Sequence, residues 1–309
     1  MEHTPKNMAL QLGALIALIV SISSLLVLLF GIINLVFPDA AAASWEYSNA
    51  QEGIRYAIAS LLVFFPTYLL LTRKVNVARR HESGLYHTLT KWLVYAALLV
   101  GGLVMLGDLV AVIMAFLNGE LTTRFLLKAV SMFIVVGAAF EYYRRDAIGF
   151  WNTREKMSIQ CGAIAAVVVI AAIVYGYYQI DAPSLVREQS IDQNQINDLQ
   201  DMQWRIEEYY ATQSELPSDL KSVYQNGAKV PVAPEGRAAY EYKVTGDTTY
   251  ELCAEFGAPT PEYDQYSYAR PVATDIRYYQ NQDWEHDAGT KCFERTIILD
   301  QELKPTLID

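Results

Sequence analysis

Histidine and cysteine are scarce in this chain, which has four histidines and three cysteines among 309 residues. His286 is the single histidine after Asp181, so any histidine-based catalytic triad in that part would have to use it. The sequence also contains no Gly-x-Ser-x-Gly elbow, no phosphate-binding loop and no dinucleotide-binding fingerprint. These absences argue against an enzyme.

Positive charge and long apolar runs are both sparse in the C-terminal part. Residues 182–309 carry 11 Lys and Arg against 23 Asp and Glu, whereas residues 1–181 carry 13 and 11. A surface this acidic repels nucleic acid, and no basic stripe or stacking platform is present to bind it. We expect one small globular domain here, with no nucleic-acid partner.

The N-terminal part contains five apolar stretches, each long enough to cross a hydrocarbon core of about 30 Å. They run over Ala9–Phe37, Ile54–Leu71, Trp92–Leu117, Phe125–Tyr143 and Ser158–Tyr178. We therefore predict five transmembrane helices. Small residues at Ala40–Ser44 follow the first stretch, but its apolar core is too long for a cleaved signal peptide.

The distribution of Lys and Arg between the stretches predicts the orientation. Residues 72–91 hold five of these side chains and residues 144–157 hold four, whereas the first loop, Pro38–Gly53, holds none. Short cytoplasmic loops carry the excess of positive charge. This places the amino terminus inside and the C-terminal domain outside the cytoplasmic membrane.

Four charged side chains form a candidate cluster toward the outer side of the spans: Arg55, Asp108, Arg124 and Lys128. At 1.5 Å per residue, Asp108 and Lys128 lie roughly 15 and 10 Å below the outer ends of their helices, so a snorkelling lysine could reach the carboxylate. One interpretation is a proton or ion path. The other is a structural ion pair between adjacent helices.

The first four spans resemble a bacterial family of small four-helix membrane proteins whose function is unknown. The matching residues are Ala9–Leu18, Ser21–Leu26, Leu29–Asn34 and Phe37–Asp39. Because that family has no assigned activity, the resemblance implies a four-helix membrane domain and no functional residue.

The region after the fifth span has the pattern of a small α+β domain. Ile196, Leu199, Met202 and Ile206 recur at spacings of three and four, which predicts an amphipathic helix. A short helix capped by Ser218 is expected next, followed by strands at Ala239–Val244 and Tyr250–Phe256 that form a hairpin, and a possible third strand at Arg295–Leu299.

This order of elements resembles the pseudopilins of type II secretion and the related type IV pilins. The matching residues are Asp198–Gln203, Ile206, Tyr209, Tyr210, Leu216, Pro217, Leu220, Tyr240–Tyr242 and Tyr250–Ala254. A prepilin has a leader, a glycine cleavage site and a glutamate at the start of its single membrane helix. Here the corresponding helix opens as Met157–Ala163, inside a multi-pass chain, so we expect neither processing nor polymerisation into a filament.

Cys253 and Cys292 both lie in the part predicted to be outside the cytoplasm, where disulfides persist. A bridge between them would close a loop of about 40 residues and stabilise the fold by roughly 3–4 kcal/mol in the chain-entropy model. A zinc site with His286 is the competing interpretation, but it lacks a fourth ligand of the usual type. Cys161, in the fifth span, is expected to be a small buried apolar residue.

An acidic segment near the C-terminal end is similar to a calcium-binding loop. Asp283, Glu285 and Asp287 place oxygen ligands at alternate positions, and Glu294 is twelfth counting from Asp283. Major pseudopilins also bind calcium near their carboxyl ends. However, the turn glycine falls one place late and a bridged Cys292 would interrupt the loop, so a solvated acidic turn is the alternative.

The sequence thus predicts an α-helical membrane bundle, N-in and C-out, followed by a pilin-like α+β domain. We divide it into a four-helix domain (1–156), a fifth membrane helix (157–181) and an extracytoplasmic domain (182–309). The expected function is a non-enzymatic bacterial inner-membrane protein that displays a binding or assembly domain, with the lipid bilayer and an envelope protein as partners. The alternative is an ion or proton transporter or sensor that uses Asp108 and Lys128.

Overall fold

A computed structural model describes residues 4–37, 45–81, 85–119, 122–224, 228–261 and 281–298. The chain divides into two compact units, Met1–Ile180 and Asp181–Asp309. The small residues at Ala40–Ser44, considered above as a cleavage site, lie outside the described residues.

The first unit contains five long helices: α1 (Thr4–Val36), α2 (Trp45–His81), α3 (Leu85–Leu117), α4 (Thr123–Ala147) and α6 (Glu155–Tyr178). Each is long and apolar enough to span a membrane, which confirms the prediction of five candidate spans. Pro66 lies inside α2 without ending it. The helices extend beyond the apolar stretches. The C-terminal end of α2, which carries its basic residues, is an example, because it continues from Leu71 to His81.

The fifth long helix, α6, is part of the helical unit. Val169 of α6 is buried in one cluster with Leu28 of α1 and Ile54 of α2. The closest approach is at Gly176, where a methyl group would meet the Leu28 Cδ1 atom at 2.6 Å. A side chain at this position would therefore require the Leu28 side chain to move, which favours glycine here.

A short helix that the sequence pattern did not predict, α5 (Phe150–Thr153), connects α4 to α6. Gly149 precedes it with a φ of 75° and lets the chain turn sharply. The Trp151 ring stacks on Tyr142 with 4.9 Å between ring centroids, and its indole nitrogen donates to the Tyr142 carbonyl oxygen at 3.0 Å. These contacts fix the turn against the end of α4.

The second unit begins with α7 (Pro183–Gln213), which is considerably longer than its apolar stripe. Pro183 occupies the first turn, where a missing N–H costs nothing. The predicted stripe is confirmed, because Leu199, Met202 and Ile206 are completely buried. They belong to the core cluster that α7 and the sheet form together.

The sheet has three antiparallel strands in the order β1 (Glu241–Val244), β2 (Thr249–Phe256) and β3 (Gly289–Thr296). The predicted β1–β2 hairpin is confirmed, with Val244 opposite Tyr250. The third strand exists, but it begins six residues before the predicted one. The short helix after α7 is a 3₁₀ turn, Leu220–Ser222, and Asp219 rather than Ser218 caps it, because the Asp219 carboxylate accepts the Ser222 N–H at 3.0 Å.

Candidate functional site

Arg124 joins three helices at one end of the membrane unit. Since α4 begins at Thr123, Arg124 lies in its first turn, and its Nη2 atom donates to Asn34 Oδ1 of α1 at 2.8 Å and to Glu46 Oε2 of α2 at 3.0 Å. The side chain is only 11% exposed. Its buried Nε atom has no hydrogen-bond partner within the described residues. This arrangement holds the helix ends together and uses the Glu46 carboxylate.

No ion pair joins Asp108 to Lys128 among the described residues, so the structure does not bring the two together as an ion pair. Asp108 is 9% exposed on α3 and is surrounded in sequence by exposed apolar residues. Lys128 is half-buried on α4, within electrostatic reach of Arg124 and Glu46. In the described part of the chain neither Asp108 nor Lys128 forms a hydrogen bond. Any function of the two residues in ion movement stays a prediction.

Arg55, the fourth member of the predicted cluster, has a local partner. Its Nη2 atom donates to Gln51 Oε1 one turn earlier in α2, at 2.7 Å. Two of the four predicted residues, Arg55 and Arg124, thus have separate partners, and Arg124 is the member that links helices.

A small cavity of about 40 Å³ with a partly polar lining lies at the opposite end of the bundle, near the start of α1 and the ends of α2 and α4. Its polar lining comes from Gln11, Thr72, Asn76, Tyr142, Tyr143 and Asp146. The Thr72 hydroxyl is buried and has no partner among the described residues. A cavity of this size and polarity has room for one or a few water molecules. Gln11, a polar residue within an apolar run, was the sequence signal for this cavity.

In the second unit, Cys253 of β2 and Cys292 of β3 form a disulfide with an S–S distance of 2.04 Å. The two residues are directly opposite each other in the antiparallel register. The bridge therefore connects neighbouring strands within one sheet. Cys161 is exposed on α6 rather than buried, so the expectation of a buried residue was wrong.

Asp192 of α7 is the most deeply buried acid of this unit and is 2% exposed. Its carboxylate accepts the backbone N–H of Gly257 at 2.9 Å and that of Ala258 at 2.8 Å, where the chain leaves β2. Glu188 lies one turn before Asp192 in α7 and forms an ion pair with Arg237. The Arg237 Nη2 atom also lies 3.4 Å from Asp192 Oδ1. We call these five residues the Asp192 latch, because they attach the end of β2 to the helix.

Two further acids of α7, Asp198 and Asp201, accept hydrogen bonds from tyrosines. The Tyr240 hydroxyl donates to Asp198 at 2.7 Å, and the Tyr224 hydroxyl donates to Asp201 at 2.6 Å. Burial is the first cause that raises the pKa of both tyrosines, and the carboxylate partners add to it. The tyrosines therefore stay neutral donors that hold the loop and the hairpin on the helix.

The acidic segment proposed for calcium does not form a ligand cluster. Within the described residues there is no group of three or more His, Cys, Asp or Glu side chains that could hold a metal ion. The Asp283 carboxylate accepts the Glu285 N–H at 2.9 Å, while Glu294 lies within β3, opposite Glu251. Because β3 is extended, five residues from Gly289 to Glu294 cover about 17 Å, which carries Glu294 away from a compact loop. Asp287 belongs to no ligand group among the described residues either. Calcium binding stays a prediction.

His286 belongs to the core of this unit. It is buried, and its ring stacks on Phe256 with 3.7 Å between centroids. Burial lowers the pKa of His286, because the charged imidazolium is disfavoured there. This environment favours a neutral aromatic packing residue.

Arg295 of β3 is a buried arginine whose contacts were not expected from the sequence. Its guanidinium lies beside the rings of Trp284 and Phe293. Its Nη2 atom donates to the Asp283 carbonyl oxygen at 2.6 Å, its Nε atom donates to Gln203 at 3.1 Å, and its guanidinium lies 4.0 Å from the Trp284 ring centroid. Burial lowers the pKa of Arg295 to about 10 and raises the pKa of Glu207 nearby. Arg295 thus fixes the segment before β3.

Residues 8–140 match the family model described as Domain of unknown function (DUF5671). This confirms the expected similarity of the first four spans to a domain of unknown function. The comparison found no pilin family over the C-terminal unit. Comparisons with curated proteins and with solved structures gave no match.

Proposed function

We propose that this protein is a non-enzymatic integral membrane protein of the bacterial inner membrane, and that it displays its C-terminal unit outside the cytoplasm for binding or assembly. One observation carries the proposal: α6 is packed inside the helical unit, while the chain from Asp181 onward has its own core and its own disulfide. A domain with these properties is permanently attached to the membrane and still has a free surface.

We also propose that the C-terminal unit has a pseudopilin-like fold. Support comes from the order of its elements, a long helix whose apolar stripe packs on an antiparallel three-stranded sheet. A filament subunit has to extract its membrane helix from the bilayer during assembly. The close contact of Gly176 with Leu28 opposes such extraction here, so the unit acts as a fixed display domain.

The orientation is tested with the protein's own cysteines. Intact spheroplasts are reduced and then treated with a membrane-impermeant thiol reagent, in a Cys161→Ser background that leaves only the disulfide pair. We expect Cys253 and Cys292 to be labelled without lysis, since disulfides persist on the oxidising side of the membrane. Labelling that requires lysis would place the unit in the cytoplasm and contradict the proposal.

The display function is tested by photocrosslinking in native membranes. A photoreactive amino acid is placed at Trp204, Val232 or Val244, whose apolar side chains are exposed on the C-terminal unit, and at Val168 of α6 as a lipid-facing control. We expect the same protein adduct from at least one position on the unit and lipid adducts from Val168. Failure of every position on the unit to give a protein adduct would argue against a binding role.

Transport or sensing of an ion or a proton is the second candidate function. It is favoured by one observation, the burial of Asp108 in a candidate span with no hydrogen-bond or ion-pair partner in the part of the chain that is described. Such residues often mark ion pathways in membranes. Proteoliposomes with the Asp108→Asn variant should then lose proton or cation flux, whereas equal flux in both proteins would reject this function.

A further inference from the structure

Lys128 is a cation in an apolar span without a protein anion of its own. It lies five residues after the start of α4 and is half-buried. Among the described residues it forms neither a hydrogen bond nor an ion pair. A charged side chain in a membrane span normally pairs with an opposite charge or a polar group, because its burial in the hydrocarbon region is costly.

The surroundings of Lys128 increase the need for an anion. Arg124 lies four residues earlier on the same helix, so the two cations share one face, where like charges repel. Glu46 is the acid within reach of both, but it already accepts a hydrogen bond from Arg124 at 3.0 Å. Among the described residues, Arg124 and Lys128 thus share a single acid, Glu46, at this end of α4.

The position of Lys128 fits an anion that arrives from the lipid. Five residues at 1.5 Å per residue place its Cα roughly 7–8 Å below the start of the helix, and a lysine side chain can extend back to the interface. Leu126 and Val130, on either side of Lys128 in sequence, are exposed apolar residues of this candidate span. The helix N-terminus adds a partial positive charge at the same level.

We propose that Lys128, with Arg124 behind it, binds the phosphate of an anionic phospholipid headgroup at this end of the bundle. The phosphate supplies a negative charge for Lys128, which has no ion-pair partner among the described residues. Arg124 contributes mainly through its charge, because its guanidinium is engaged by Asn34 and Glu46.

The test uses the full-length protein in detergent and native mass spectrometry with three probes: phosphatidylglycerol, diacylglycerol with the same acyl chains, and inorganic phosphate. We expect phosphatidylglycerol to bind and diacylglycerol to bind at least fivefold more weakly. A lysine near the membrane surface contributes about a fivefold gain in affinity for anionic lipid, so Lys128→Gln should weaken phosphatidylglycerol binding by about that factor. Lys243→Gln, which removes the same charge from the C-terminal unit, should leave binding unchanged.

Three results would overturn the proposal: equal binding of both lipids, wild-type binding by Lys128→Gln, or displacement of the lipid by millimolar inorganic phosphate. The last result would identify a free anion as the ligand. Asp108→Asn should bind phosphatidylglycerol as the wild type does, since Asp108 is not paired with Lys128.

A second measurement covers the case in which Lys128→Gln folds poorly. In detergent without anionic lipid, Lys128→Met should have a higher Tm than the wild type, because it removes an unpaired charge. Added phosphatidylglycerol should raise the Tm of the wild type and of Lys128→Arg, but not that of Lys128→Met. An equal rise in all three proteins would contradict the assignment.

Discussion

Replacement of Asp192 by alanine should unfold the C-terminal unit at a much lower denaturant concentration. The wild-type carboxylate accepts the N–H groups of Gly257 and Ala258, and its burial to 2% exposure leaves no room for water to replace it. The substitution therefore leaves two donors, one partly buried and one buried, without their partner at the end of β2.

The size of the effect follows from these two contacts. A hydrogen bond to a charged group contributes about 1.5–3 kcal/mol, so loss of both should cost about 3–6 kcal/mol. The other two donors to Asp192 keep a second partner, Arg237 through Glu188 and Gln195 through the Glu255 carbonyl oxygen, so the main loss is at the two amides. Small domains are stable by only about 5–15 kcal/mol, so the variant should lose a large part of the stability of this unit.

The assay is pulse proteolysis of the full-length protein in detergent over a urea series. With a typical urea dependence of about 2 kcal/mol per molar, the midpoint for cleavage of the C-terminal unit should fall by about 1.5–3 M. Glu208→Ala is the matched control, because Glu208 is an exposed acid of the same helix, and it should shift the midpoint by less than about 0.3 M.

The reasoning would be refuted by an Asp192→Ala midpoint within the error of the control. That result would mean that the two amides find other partners or water when the carboxylate is removed. Asp192→Asn gives a graded check. Its amide oxygen can still accept one N–H, so its midpoint should lie between those of the wild type and the alanine variant.

Three further predictions concern packing, protonation and hydrogen bonding. Gly176→Ala should lower the Tm of the membrane unit, since the added methyl overlaps the Leu28 side chain of α1 at a cost of about 1–3 kcal/mol. Gly107→Ala is the control. Its methyl faces open space, so the Tm should stay unchanged or rise. The C-terminal unit should lose stability as the pH falls below about 6.5, because burial lowers the pKa of His286 and the folded unit disfavours the protonated imidazolium. In a urea series at pH 5 and pH 7, His286→Phe should reduce this loss. Tyr240→Phe should cost about 1–3 kcal/mol in the same urea assay, since the Asp198 carboxylate loses a donor at 2.7 Å.

The long apolar elements could be predicted from the sequence because one physical requirement dominates them. A membrane helix satisfies its own backbone and has to be apolar over about 20 residues, which leaves a strong signal. The apolar stripe around Leu199 and Met202 could also be predicted, because burial of one helix face leaves apolar residues at spacings of three and four. Helix ends carry no such signal, so the extension of α2 to His81 and of α7 back to Pro183 was missed.

The edge strand β3 shows why the rest was harder. Its first four residues, Gly289 to Cys292, are all exposed, so the apolar alternation that predicts a strand is absent before Phe293. The visible apolar run begins later, and the predicted strand was therefore displaced toward Leu299, which lies outside the described residues. Pairing with β2 decides where β3 begins, because Gly289 pairs with Phe256 at the far end of β2.

The contacts of the charged residues were the least predictable part. A helical spacing can place Asp192 on one face of α7, but it cannot indicate that the chain leaves β2 against this face 65 residues later. Arg124 likewise finds Glu46 at a distance of 78 residues in sequence. Pairings of this kind depend on the tertiary structure, and a single sequence contains no local trace of them.

The disulfide has a consequence for how the protein matures after synthesis. Cys253 precedes its partner by 39 residues, so in the proposed orientation, with the unit outside the cytoplasm, its thiol is exported before β3 follows. The third cysteine of the chain, Cys161, belongs to a candidate membrane span. Within the exported part a single pairing is therefore possible, and oxidation cannot produce a scrambled isomer. Maturation of this unit should depend on an oxidant and should need no disulfide isomerase.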